Sequence, residues 1–124
     1  MKPFAIALSF VCLLGIGFAQ PPTAIERCDG TTYDMAMCLA RIHDRVDQEL
    51  NATYQTALKG SEKRHGDNLR IAQRRWLAYR DAQCKAQYDL FERATGGPLE
   101  NLACLIDLTE SRTAEIKRVY HLPK

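Results

Sequence analysis

Apolar residues recur at helical spacing along three long stretches, and this periodicity limits the fold more than any other feature of the sequence. In the first stretch the apolar positions return every three or four residues, at Met35, Leu39, Ile42, Val46, Leu50 and Ala57. No stretch shows the strict alternation that predicts a β-strand. The sequence therefore predicts an all-α fold, with three main helices in a small antiparallel bundle.

Turn and cap signals place the first two helices. Thr31 followed by Asp34 is close to a capping box, and Lys59-Gly60 is typical of a helix end. We therefore predict the first helix at roughly 32–59. Gly66 weakens an earlier start for the second helix, so Asp67 is predicted as its N-cap.

The second helix is predicted to end near residue 94, because Gly96-Gly97-Pro98 stops it. Pro98 is acceptable in the first turn of a third helix, which we expect to continue to about Tyr120. The predicted apolar stripe of this helix consists of Leu102, Leu105, Leu108, Ile116 and Val119.

The N-terminal residues have the pattern of an export signal. Lys2 precedes an apolar run over 4–18, and Gly17-Phe18-Ala19 places small residues where a signal peptidase cleaves. We predict a cleaved signal peptide at 1–19, an irregular arm at 20–31 and a helical domain at 32–122. The apolar run is too short for a stable membrane anchor, and Cys12 lacks the small preceding residue of a lipoprotein signal.

The mature chain would be small and nearly neutral. Removing residues 1–19 from the 124 leaves 105, enough for one domain, with 16 basic and 15 acidic residues. This balance gives no indication of a nucleic acid partner. The sequence also contains no glycine-rich phosphate loop, and we expect no cofactor.

Four cysteines remain after export, Cys28, Cys38, Cys84 and Cys104. An even number in a small exported domain indicates two disulfides, for which three connectivities are possible. The second and third helices should form a hairpin, which brings Cys84 near Cys104 and leaves Cys28 for Cys38. No C-x-x-C pair or suitably spaced histidine favours a metal site.

The predicted inward side of the second helix is unusually polar. Taking about 100° per residue, the apolar residues on it are Leu69, Ala72, Trp76, Cys84, Leu90 and Phe91, and the polar residues are Gln73, Arg80, Gln83 and Gln87. An arginine in an apolar stripe costs free energy unless it is paired or reaches water. In the same way, the polar residues Thr109 and Arg112 fall on the predicted apolar side of the third helix.

Arg80 therefore has two interpretations. It is a structural tie that pairs with a carboxylate of another helix, for which Asp47, Glu49 and Asp107 are candidates. Alternatively, Trp76, Arg80 and Arg112 edge a groove that recognises a protein partner, since tryptophan and arginine dominate protein interfaces.

Catalytic patterns are weak, and we predict that the protein is not an enzyme. Oxidised cysteines supply no thiol nucleophile, and no serine occupies a nucleophile elbow. A hydrolase built on His43, Asp44 and Asp47 is the remaining enzymatic alternative.

Several motifs together resemble the lysozyme inhibitor LprI-like family, which consists of small exported bacterial proteins of helical fold. The run Gln73-x-x-Trp76-x-x-Tyr79-Arg80-Asp81-x-x-Cys84 resembles its central motif. Cys104-x-x-x-x-Thr109-x-x-Arg112-x-x-x-Ile116 is similar to its C-terminal motif, and Asp47-x-x-Leu50-Asn51-x-x-Tyr54 with the Cys28 and Cys38 pair resembles its N-terminal half. The resemblance covers about residues 28–119.

The resemblance implies a periplasmic or secreted protein whose partner is a protein, with lysozyme as the first candidate. Lysozyme is strongly basic and cleaves peptidoglycan with two carboxyl groups in a cleft. A nearly neutral chain has no large acidic field to steer such an enzyme, so binding would depend on local groups or shape. A general periplasmic binding or immunity module without lysozyme inhibition is the alternative. The residues of the central and C-terminal motifs are then candidates for structure or for partner binding: Gln73, Trp76, Tyr79, Arg80, Asp81, Thr109 and Arg112.

Overall fold

Three α-helices make up the domain, as the sequence predicts. The computed structural model describes residues 28–91 and 96–123, and no strand occurs within these two ranges. The helices are α1 (Thr32–Lys59), α2 (Lys63–Leu90) and α3 (Gly97–Val119). The predicted bounds of the first and third helices are confirmed to within a residue or two.

Some of the predicted N-terminal features lie outside the described residues. These are the signal peptide at 1–19 and residues 20–27 of the arm. Residues 92–95, where the second helix was predicted to end, also lie outside them. None of the helices in the described part of the chain combines the length and apolarity that crossing a membrane requires.

α1 begins with the predicted capping box. The backbone N–H of Asp34 donates to the Thr31 hydroxyl oxygen at 3.2 Å, and the Asp34 carboxylate accepts from the Thr31 backbone N–H at 3.0 Å. The Thr31 hydroxyl also donates to this carboxylate at 2.6 Å. These hydrogen bonds, that of the hydroxyl foremost, lower the pKa of Asp34, because they stabilise its charged form.

α2 begins at Lys63, so the prediction of Asp67 as its N-cap was wrong. Asp67 lies in the second turn, where its two carboxylate oxygens accept from Lys63 Nζ at 2.7 Å and Arg70 Nη1 at 2.9 Å. Ion pairs at this spacing stabilise a helix. Here they stabilise the first turn of α2, which the sequence analysis had placed before the helix. Gly66 is buried within α2, and a Cβ added there would lie 3.8 Å from Leu58 Cδ2 of α1.

α3 packs against both other helices, whereas α1 and α2 touch each other sparsely. α2 is antiparallel to the other two, and the apolar core has two parts. One joins the C-terminal halves of α1 and α3 to the start of α2, through Leu50, Ala57, Leu69 and Ile116. The other joins the N-terminal halves of α1 and α3, through Leu39, Val46 and Ile106.

The predicted stripe of α1 is confirmed, but those of α2 and α3 were partly wrong. Leu90 and Phe91 are 81% and 41% exposed, although both fall on the predicted apolar side of α2. Ala72 is also exposed. In α3, Ile106 is fully buried although it was not in the predicted stripe, and Val119 is 50% exposed. α3 lies against two helices, so a single stripe cannot describe what it buries.

Both predicted disulfides are present. Cys28 bonds to Cys38 across a sequence separation of 10, and Cys84 bonds to Cys104 across a separation of 20. The Cys84–Cys104 bridge is buried and joins α2 to α3, whereas the cysteines of the other bridge are half-buried. The Cys28–Cys38 bridge connects the residues before α1 to the second turn of α1.

α3 ends in a Schellman motif. His121 adopts the left-handed backbone conformation (φ 53°), and the backbone N–H of Leu122 donates to the carbonyl of Lys117 at 2.9 Å. This turn directs Leu122 and Tyr120 onto the core formed with Leu50 and Ile116.

Removal of the buried bridge should destabilise the fold strongly. We expect Cys84→Ala with Cys104→Ala to lower the free energy of unfolding by about 3 kcal/mol, because the bridge restricts the unfolded chain. Cys28→Ala with Cys38→Ala removes a bridge that closes a loop half as long. The loss of unfolding free energy should therefore be smaller by at least ~0.6 kcal/mol. Urea unfolding followed by circular dichroism measures both, and equal losses would contradict this assignment.

Candidate functional site

Arg80 lies where all three helices meet. It is on α2, and its Nη1 donates to Asp47 Oδ1 of α1 at 3.2 Å and to Thr109 Oγ1 of α3 at 3.3 Å. Its side chain is only 11% exposed, while Thr109 is fully buried. Of the three carboxylates predicted as possible partners, Asp47 is therefore the one used; Glu49 instead accepts from Lys117 Nζ at 2.7 Å.

Trp76 and Arg112 extend this polar arrangement towards the C-terminal end of α3. The Arg80 and Arg112 guanidinium carbons lie 5.4 and 5.9 Å from the centroid of the Trp76 ring, within cation–π range. Arg112 Nε donates to Gln73 Oε1 at 3.1 Å, and its Nη1 donates to Glu115 at 2.7 Å. We call the whole set the arginine layer: Asp47, Gln73, Trp76, Arg80, Thr109 and Arg112.

Helical spacing explains how α2 builds this layer. Gln73, Trp76, Arg80 and Cys84 follow one another at intervals of three and four residues, so one face presents all four to α3. Gln73 and Cys84 are buried on that face. The structure thus brings together most residues of the two sequence motifs as connections between helices, and Arg112 also lines an open surface groove beside Leu69 and Tyr120.

Tyr79 and Asp81 flank Arg80 in sequence but lie outside the buried layer. The Asp81 carboxylate is 63% exposed and accepts from Arg80 at 3.0 Å. Tyr79 is 55% exposed and belongs to a surface groove. Consecutive residues of a helix point about 100° apart, which is why one motif supplies both a buried tie and an exposed aromatic ring.

The groove follows the contact between α2 and α3 and has a volume of about 380 Å³. Its wall includes Cys104, whose bridge to Cys84 joins the two helices. We call it the α2–α3 groove; it is lined by Tyr79, Gln83, Gln87, Glu100, Ala103, Cys104, Asp107 and Leu108. None of the described residues that line it is a lysine or an arginine.

Among the residues of this groove, Asp107 is distinguished by a shifted pKa. Partial burial raises the pKa of its carboxyl group, since desolvation disfavours the charged form. Sequence reasoning considered Asp107 only as a partner for Arg80. The signal that could have found the groove is the polar repeat Tyr79, Gln83 and Gln87 on α2, beside Glu100, Ala103 and Asp107 on α3.

The residues of the hydrolase alternative do not form a relay. Asp47 is already bonded to Arg80, and it also accepts from Asn51 at 3.3 Å. His43 Nδ1 lies 3.8 Å from Asp44, whose side chain is 77% exposed, and the buried His43 Nε2 has no hydrogen-bond partner among the described residues. Within 28–91 and 96–123, no three potential metal ligands cluster.

Fold and surface together define a small disulfide-bridged helical domain with a rigid groove. Comparison with known families agrees in detail. The family model described as lysozyme inhibitor LprI matches residues 25–116, most of the chain, and the protein therefore belongs to the LprI family of lysozyme inhibitors. The chain is also 35% identical over 136 residues to "Uncharacterized protein R02472" of Rhizobium meliloti (strain 1021), with 96% of each chain covered. No solved structure matches it.

Loss of the Arg80 side chain should destabilise the fold. We expect Arg80→Met to lower the free energy of unfolding by about 2–4 kcal/mol, because Asp47 and Thr109 would remain in place without their partner. The matched control is Arg74→Met, which alters an exposed arginine of the same helix and should change stability by less than ~0.5 kcal/mol. Similar urea midpoints for the two variants would contradict the structural role.

The charged Asp107 carboxylate should lower the free energy of unfolding at neutral pH. Its pKa is raised in the folded state, so the contribution of this one carboxyl group to stability becomes more favourable as the pH falls towards its ordinary value of 3.8. Asp107→Asn should therefore melt above the wild type at about pH 7, and the difference should shrink towards about pH 3. Glu110→Gln removes the same charge from another exposed residue of α3, outside the α2–α3 groove, and is the control; a lower Tm for Asp107→Asn at neutral pH would contradict the assignment.

Proposed function

We propose that this is an exported protein of the cell envelope, periplasmic or secreted, that binds and inhibits lysozyme-type peptidoglycan hydrolases. The observation that carries the proposal is the match of the lysozyme inhibitor family model to residues 25–116. That range includes both disulfides and the entire arginine layer. The likeness thus extends over the whole framework of the domain rather than a single motif.

The two disulfides support export. Disulfides form and persist in oxidising compartments, whereas cytosolic thiols are kept reduced. Both bridges also have a structural use here, since a domain of this size buries too little apolar surface for high stability. The predicted signal peptide at 1–19 is consistent with the same destination.

Binding without catalysis is consistent with the way the polar groups are used. Arg80, Asp47 and Arg112 are held in hydrogen bonds between or within helices, where they stabilise one arrangement of the bundle. A rigid surface loses little conformational entropy when it binds, and this favours tight complexes from a small interface.

The charge balance indicates what kind of recognition to expect. With 16 basic and 15 acidic residues after the predicted signal, the domain has no large field to attract a basic enzyme. Recognition would then depend on the shape and local charge of one face. Such a complex should form at an ordinary association rate and depend only modestly on salt.

The mature oxidised protein should slow the lysis of bacterial cell walls by lysozyme at near-stoichiometric concentration. Turbidity of a cell-wall suspension measures this with a panel of lysozymes of different types. The reduced and alkylated protein is the control, and it should lose inhibition because the groove and its supporting helices are no longer fixed.

Absence of inhibition across the panel at large molar excess would contradict the proposal. Retention of a different, specific protein from periplasmic extract by the same preparation would instead favour a general binding or immunity module.

A further inference from the structure

The α2–α3 groove has carboxylates without a balancing positive charge. Within the described residues, neither Glu100 nor Asp107 forms a side-chain hydrogen bond or ion pair, and no lysine or arginine lines the groove. Most other acidic groups near the helix contacts are engaged: Asp47 with Arg80, Glu49 with Lys117, and Asp81 with Arg80.

An unpaired carboxylate in a partly desolvated groove is unfavourable for the isolated domain. Asp107 is exposed as a residue, but the groove removes part of the water around its carboxyl group and so raises its pKa, and no lysine or arginine among the described lining residues compensates for the lost hydration. A cationic group that entered the groove would recover this free energy. An anion or an uncharged apolar group would not.

Tyr79 adds an aromatic surface to the same groove. It is 55% exposed although its helix neighbour Arg80 is held inside the bundle. The tyrosine ring supplies apolar area and a π-face for a cation, while Gln83 and Gln87 supply amide groups beside it. At about 380 Å³ the groove has room for one long side chain together with the residues beside it.

We propose that the α2–α3 groove is the partner-binding surface and that it receives a lysine or arginine side chain of the hydrolase. Asp107 and Glu100 accept hydrogen bonds from the cation, and Tyr79 covers its aliphatic stem. The inference rests on the proposed function for the identity of the partner. The cationic nature of the occupant rests on the groove itself.

The groove is also held in a fixed shape before any partner arrives. Its wall contains Cys104, which is bonded to Cys84, and Thr109, two residues after Asp107, accepts from Arg80. Asp107 therefore lies on the segment of α3 that the disulfide and the Arg80 hydrogen bond connect to α2. This explains why Asp107 keeps its place in the groove although its charged form is unfavourable in the free domain.

Charge-matched variants test the proposal. Asp107→Asn should weaken inhibition and binding of a susceptible lysozyme roughly tenfold, whereas Glu110→Gln, one turn away in a separate pocket between α1 and α3, should leave both unchanged. Tyr79→Ala should weaken binding by a similar factor, and Tyr33→Ala, which alters a tyrosine of α1 that is 72% exposed, should not. Isothermal titration calorimetry gives the affinities.

Stability measurements separate recognition from folding. Asp107→Asn should bind less tightly while melting no lower than the wild type. Substitution of a residue with a purely structural role would instead lower the melting temperature. If the wild type inhibits a lysozyme and Asp107→Asn inhibits as well as Glu110→Gln, the groove assignment is overturned while the proposed function stands.

A small cationic probe tests the groove independently of any lysozyme. Arginine amide at millimolar concentration should shift the backbone amide NMR signals around Tyr79, Gln83 and Asp107 in a saturable way, and Asp107→Asn should abolish the shifts. Shifts that are absent, or that scatter over the surface, would overturn the inference even if inhibition is found. Localised shifts without inhibition of any lysozyme would support the groove and overturn only the choice of partner.

Discussion

A single guanidinium group connects the three helices, and much of the architecture depends on it. α1 and α2 are consecutive but touch each other sparsely, so each is held mainly through α3. Arg80 reaches from α2 to Asp47 on α1 and to Thr109 on α3, and it is only 11% exposed. A buried charge of this kind is favourable only when its partners are placed accurately, which makes the tie a source of specificity as much as of stability.

The arginine layer and the Cys84–Cys104 bridge act on the same pair of helices. The bridge fixes the distance between α2 and α3, and the hydrogen bonds of Arg80 and Arg112 fix how one helix is rotated against the other. A groove on the surface of such a pair cannot easily close or widen. For the proposed inhibition this matters, because in a nearly neutral domain shape and a few local charges have to supply what long-range attraction does not.

The candidate site illustrates what helical periodicity can and cannot predict. The polar intrusion at Arg80 was visible in the sequence, and Asp47 was among its three possible partners. Which of the three it uses depends on the rotation of α1 against α2, and no local signal encodes that rotation. Asp107 was considered for the same role, but the structure places it in a groove, where no partner among residues 28–91 and 96–123 pairs with its carboxylate.

The sequence by itself determined the helical class, the capping box at Thr31 and the helix end at Lys59, and it favoured one of three possible cysteine pairings, because these features depend on local spacing and on one short hairpin. It could not determine that α2 starts at Lys63, since the Asp67 ion pairs and the burial of Gly66 exist only in the folded chain. Only the tertiary structure decided that α3 buries two faces, including Ile106, and that Tyr79 and Asp107 share a groove. Periodicity along one helix identifies a buried face, but the neighbours of that face are set by packing between helices.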